Sequence, residues 1–273
     1  MLDTDSMKSE VIHQIANQLQ KRSKFWFIVW FILFFIVPFF LIQIQASIIN
    51  GIDTGMISEP TRLLFYTNTT NPSISSLYLT NYVHKFGDAG SHLFNNIFVY
   101  WVFITLIFLI ETFFLLPKEN NRSERDFYYP ICLFFFIFPF SISGVSLIIF
   151  RIIGGPEFAG FSGIVSAFIG YCWFALYNIY LLYRDDLIQN NPKKVKNVDL
   201  ISIVCFFLPI FFFVLMNFLF YDNLGGHTAG YLFGFFTGYA MFLARKKKYD
   251  KIIIALIFAI VIWIASTFWI FFY

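Results

Sequence analysis

Charge is what this sequence has least of. Asp, Glu, Lys and Arg make up 13% of the 273 residues, about half the share of a soluble domain. With 59% of the chain hydrophobic and Phe alone present 41 times, there is too little polar surface to cover a water-soluble fold. That excludes a soluble enzyme, a disordered tail and a nucleic-acid-binding domain. Cysteine is scarce too: Cys132, Cys172 and Cys205 all fall inside apolar runs, with no Cys-x-x-Cys and no nearby histidines. A disulfide framework and a zinc site are therefore excluded, and neither metal nor cofactor is expected. Glu111 is the one acid well inside an apolar stretch, and no segment repeats another. A transporter or proton-coupled channel would want ionisable groups along a path, so that class is disfavoured.

What remains is a chain whose partner is the lipid bilayer. A span needs about 20 mostly apolar residues. Seven stretches qualify: 25–46, 93–116, 129–150, 162–183, 199–219, 227–244 and 252–272. The fold class expected is an all-α polytopic membrane protein. Ahead of the first span, residues 1–24 form a polar tail with Val11, Ile15 and Leu19 at helical spacing, which predicts an amphipathic helix near the membrane surface. Sixteen of the 19 Lys and Arg fall in the tail and in the loops after spans 2, 4 and 6. Under the positive-inside rule the N-terminus is cytoplasmic and the C-terminus outside. Spans 2, 4 and 6 then all start from the outer face. With no organelle-targeting segment visible, a prokaryotic plasma membrane is the default location. Residues 47–91 form one long outer loop with apolar content suited to packing on the bilayer surface.

Polar residues collect at the starts of those three spans. Span 4 opens with Gly160-Phe161-Ser162-Gly163. The serine stands at a helix N-terminus, where outward N–H groups and the helix dipole favour a developing negative charge. Span 6 opens with Gly226-His227, and Gly230, Gly234 and Gly238 follow on the same helix face. Such a stripe lets another helix come close, and span 4 offers Ser162, Ser166 and Gly170 at four-residue spacing. Packing these faces predicts that His227 meets Ser162 at the outer end, as base and nucleophile. Span 2 places His92 and Asn96 one turn apart, two donors suited to an oxyanion. Taken singly, each motif has a bland reading: a helix start, a packing stripe, a pair facing headgroups.

Together, in this order on alternate helices, His92-x-x-x-Asn96, Gly160-x-Ser162-Gly163 and His227-x-x-Gly230-x-x-x-Gly234 resemble the rhomboid family of intramembrane serine proteases. The resemblance covers about residues 77–244, starting at Tyr78-Leu79-Thr80-Asn81-Tyr82-Val83-His84. It implies a six-helix catalytic core, 25–244, with the long loop 47–91 partly embedded in the bilayer. Residues 245–273 add a basic inner loop and a seventh transmembrane helix. It also implies that Ser162 is the nucleophile and His227 its base, with His92, Asn96 and the Ser162 backbone binding the oxyanion. Gly160, Gly163, Gly170, Gly226, Gly230 and Gly234 would pack the helices at the site. Three differences bear on loop geometry and substrate preference. The Trp-Arg pair of many members is absent near Leu77, Ser166 stands where many carry a bulky residue, and Gly226 replaces a common Ala. The activity implied is endoproteolysis of single-span membrane proteins near the outer boundary. The alternative is an inactive relative that binds membrane proteins and assists their turnover. Glu111, near the inner end of span 2, either anchors a neighbouring loop or snorkels, and the structural role is favoured.

Overall fold

A computed structural model describes residues 4–56, 58, 64–83, 89–118, 122–153, 157–190, 195–220 and 224–246. The protein is almost wholly helical, as an all-α membrane protein should be. Helix α1 (Thr4–Gln20) is the predicted polar helix, with Ile12 and Ile15 exposed. Three long helices follow, each made of two α-helical parts joined by a wide π-type turn. They are α2 (Lys24–Phe31, turn Ile32–Ile36, Val37–Asp53), α4 (Ala89–Leu109, turn Ile110–Leu115, Leu116–Lys118) and α5 (Arg125–Cys132, turn Leu133–Ile137, Phe138–Ile153). Between α2 and α4 lies a short helix, α3 (Ile74–Leu79), continued by a tighter turn over Thr80–Tyr82. Then come α6 (Ser162–Asn190), α7 (Val195–Phe220) and α8 (Leu224–Arg245). By length and composition, Lys24–Ile48, His92–Lys118, Arg125–Ile152 and Ser162–Arg184 can each cross a membrane. Helices α7 and α8 occupy the expected fifth and sixth positions. The seventh span, 252–272, lies outside the described residues. The first helix runs seven residues past its expected end at 46, to Asp53, and shortens the long loop accordingly.

Each wide turn has a cause in the sequence. Pro38, Pro117 and Pro139 each follow one of them. Proline has no N–H to give, and its ring crowds the carbonyl four residues back, so the preceding turn opens. The residue before each proline bonds five residues back instead of four: Val37 to Ile32, Leu116 to Glu111 and Phe138 to Leu133. In a bilayer the freed carbonyls need other donors. Phe34 O accepts from Trp101 Nε1 at 2.8 Å and Leu33 O from the Tyr100 hydroxyl at 2.9 Å, pinning α2 to α4. Phe135 O, four residues before Pro139, accepts from the Tyr78 hydroxyl at 3.1 Å and from that of Tyr82. The loop between α2 and α4 is thereby docked on the break in α5. Burial, with Tyr78 alongside, raises the Tyr82 phenol well above its ordinary pKa, so it remains a donor.

Aromatic packing does the rest of the assembly. Trp30 stacks on Phe127 at 4.7 Å, and Trp26 meets Phe127 edge-on at 5.4 Å, joining α2 to α5. Ser23 caps α2 by accepting from Trp26 N, and its own N–H donates to Glu124 at the foot of α5. Helix α7 turns Phe206 and Phe213 onto Phe235 and Tyr231 of α8. Its opposite face, with Phe207, Leu208, Phe211 and Phe212, is exposed, as a lipid-facing surface would be.

Candidate active site

The site is built on the seam between α6 and α8, and the seam exists because side chains are missing there. A Cβ on Gly230 would run into the Gly163 carbonyl oxygen and lie 3.2 Å from Ser166 Cβ. One on Gly234 would strike the Ala167 carbonyl, and one on Gly170 the Tyr231 carbonyl. Gly238 faces the Phe174 ring, 2.6 Å from where its Cβ would be. Backbone therefore touches backbone along three helical turns, closer than ordinary side-chain ridges allow. Residue numbers rise together across the seam, so α6 and α8 run parallel and start at the same end.

The spacing anticipates this contact, with one shift. Gly163 and Ala167 join Ser166 and Gly170 on the seam, because their small side chains permit the approach. Ser162 stands beside the seam at the helix start. It is 8% exposed, as is His227, so both are buried but not sealed. The register continues to the top of α8: the Gly226 carbonyl lies 3.4 Å from the Cβ position of Gly163. The residues adjoining Ser162 and His227 in sequence are thus packed on each other, so residues 162 and 227 stand at the same level of the two helices.

No family model, curated protein or solved structure matches this chain. The chemistry must be read from the residues themselves. Ser162 is the first residue of α6, and Phe161 O accepts from Val165 N at 3.2 Å. The N–H groups of Ser162, Gly163 and Ile164 have no carbonyl one turn earlier within the helix, so they present positive partial charge at this end. Helix α4 runs parallel to α6 as well. Its Tyr100 packs on Phe161 at 5.8 Å and Phe168 at 5.2 Å between ring centroids, and Tyr171 meets Glu111 further down. The N-termini of α6 and α8 meet at this level, which suits an anion. Asn96 is half-buried one turn above Tyr100, on the face that leads to Phe161, and His92 is exposed a turn further out. Among the described residues no three His, Cys, Asp or Glu side chains cluster as a metal site would need.

The loop between α2 and α4 is bonded to the segment that leads into Ser162. Strand β1 (Thr67–Asn68) pairs antiparallel with β2 (Glu157–Phe158), and Gly160 N donates to Thr80 O at 2.9 Å. Arg151 Nε donates to Thr69 O at 2.7 Å. Sequence reasoning gives no role to Asn81 and Ser143, buried partners 62 positions apart at 2.7 Å. Its only sequence signal is a polar residue in an otherwise apolar stretch. At the far end of the bundle Glu111 is fully buried and binds Arg122 through two nitrogens, with the Tyr171 hydroxyl donating at 3.0 Å. Glu111 is a loop anchor, as expected, and its partner is an arginine in the loop after α4.

Proposed function

We propose that the protein is an intramembrane serine endopeptidase, with a rhomboid-like core, that cuts single-span membrane proteins. The observation that carries this reading is the glycine seam. It sets a buried serine at a helix N-terminus level with a buried histidine on the helix packed against it. Ser162 Oγ attacks the scissile carbonyl while His227 takes its proton. The N–H of Ser162, with His92 and Asn96 as further donors, stabilises the oxyanion. His227 returns the proton to the leaving amine, and water completes the second half by the same route. The chemistry uses side chains, the Ser162 backbone N–H and water. Substrates must present an extended scissile bond, since a helix hides its carbonyls in hydrogen bonds. They are therefore single-span proteins with helix-weakening residues near the membrane boundary. The positive-inside distribution puts that boundary on the outer face of, by default, a prokaryotic plasma membrane.

The deciding experiment is covalent labelling by a serine-directed fluorophosphonate, with Ser162→Ala alongside. Labelling that is lost in Ser162→Ala supports the protease. Equal labelling of the two proteins, or none in either, leaves a membrane-protein-binding role as the better account.

A further inference from the structure

Asn81 is tied to α5 by its side chain, and it lies next to the serine turn. It is 2% exposed, within the tight turn Thr80–Tyr82. Its Nδ2 donates to Ser143 Oγ at 2.7 Å and to Pro139 O at 3.0 Å, both on α5, and lies 3.3 Å from Leu77 O. Carbonyl oxygens can only accept, so this side of the carboxamide is the nitrogen, and its orientation follows from the network. The oxygen therefore faces the other way. It sits 3.7 Å from the Cβ position of Gly163, the residue after Ser162.

The neighbouring residue grips the other side of the same turn. Thr80, 1% exposed, accepts from Gly160 N two residues before Ser162. Residue 80 thus holds the chain before the serine, and residue 81 lies against the residue that follows it. What they stand on is the proline break in α5. Tyr78 and Tyr82 cap the carbonyl of Phe135 that Pro139 leaves without a helical donor, and Asn81 bridges from Pro139 to Ser143 one turn later. The polar positions 78, 81 and 82 match the polar groups that the break exposes.

We propose that Asn81 is a positioning residue for Ser162: its carboxamide braces the outer loop against α5 and so fixes the Gly160–Gly163 turn. The inference rests on the reading of Ser162 as the nucleophile. Without the brace, Thr80 O is free to leave Gly160 N, and the serine hydroxyl and backbone N–H lose their fixed direction. Asn81 itself touches neither substrate nor reacting atoms in this role.

The test is the rate constant of fluorophosphonate labelling on the purified full chain, measured with its end point and melting temperature. Asn81→Ala is expected to label at least about tenfold more slowly, a misplacement effect, yet to the same end point. In turnover, kcat should fall with little change in KM. A residue that served only stability would lower the end point and the melting temperature and leave the rate constant of the folded fraction unchanged. That result overturns the inference. Asn81→Asp adds a pH signature. An ionised carboxylate cannot donate to Pro139 O, whereas the protonated acid can. Its labelling rate relative to the wild type should therefore rise as pH falls, and a flat ratio counts against the brace. If Asn81→Ala does not fold, Ser143→Ala carries the test, because it removes one acceptor and keeps Pro139. Slower labelling at near-native melting supports the brace, and an unchanged rate overturns it. A wild type that does not label, or labels equally as Ser162→Ala, removes the dyad and this inference with it. Normal wild-type labelling with an unaffected Asn81→Ala removes this inference alone.

Discussion

Replacing Gly230 by valine strikes the seam at the turn beside the serine. A Cβ there overlaps the Gly163 carbonyl oxygen and lies 3.0 Å from its carbon and 3.2 Å from Ser166 Cβ. Comfortable carbon contacts begin near about 3.5 Å, so α8 must move off α6 or twist. The obstacle is backbone, which cannot rotate away as a side-chain tip would. Overpacking in a core costs about 1–3 kcal/mol, and a rigid obstacle puts Gly230→Val toward the upper end. The serine turn suffers more than stability does, because Gly163 follows Ser162 directly and the Gly226 carbonyl packs on it. A shift of about 1 Å at a reacting pair is worth roughly a hundredfold in rate. Gly230→Val should therefore insert in the membrane, melt lower than the wild type and lose most of its fluorophosphonate labelling. Phe236→Val is the matched control, because Phe236 is 49% exposed on the other side of α8. Phe233 is less suitable, since its ring packs on Phe138 at 5.1 Å. Both variants are purified in detergent and compared with the wild type for melting and labelling rate. A Gly230→Val protein that matches the wild type in both would mean that α6 and α8 do not pack as described.

Ser162→Ala and His227→Ala should each abolish cleavage of a model single-span substrate, and the double variant should be no worse, because groups that act as one unit are not additive. Substantial turnover by Ser162→Ala in a cleavage assay would end the dyad mechanism. Asn96→Ala should lower kcat more than it raises KM, by up to about 2.7–4 kcal/mol if it is a principal oxyanion donor. His92→Ala should do the same more weakly, since His92 is the more exposed of the two; a change in KM alone would contradict both roles. Glu111→Ala leaves the Arg122 guanidinium buried without its carboxylate, a loss of about 3–5 kcal/mol. Glu111→Ala combined with Arg122→Met should recover part of that in a detergent unfolding experiment. A double variant less stable than Glu111→Ala would show that the pair is not the unit described.

Helical period made the candidate site partly legible. Residues 227, 230, 234 and 238 share a face whatever the helix packs against, because that depends only on 3.6 residues per turn. A run of small residues on that face then names the face that another helix approaches. The partner face needed the tertiary structure: Ala167 had to be added to the expected Ser166, Gly170 and Gly163, and Gly163 takes the seam position that the spacing gave to Ser162. Both stripes lie on one side of α6, and only the approach of a second backbone chooses between them. The wide turns were latent in the sequence as well, since each precedes a proline. Their capping donors were not, because Tyr78, Tyr82, Tyr100 and Trp101 come from other segments.

Composition by itself determined that the chain belongs in a bilayer and that it is built of helices. Hydrocarbon admits only helices and closed barrels, and apolar runs of about 20 residues fit helices. Sequence also marked Ser162 and His227 as residues in need of a purpose. Only the tertiary structure decided that Gly163 meets Gly230, that Glu111 closes on Arg122, and that Asn81 stands between Ser143 and the serine turn. Each of these joins groups brought together by the packing of whole helices. Which polar residue meets which depends on the rotation and depth of each helix, set by aromatic contacts and proline breaks distributed along the entire chain.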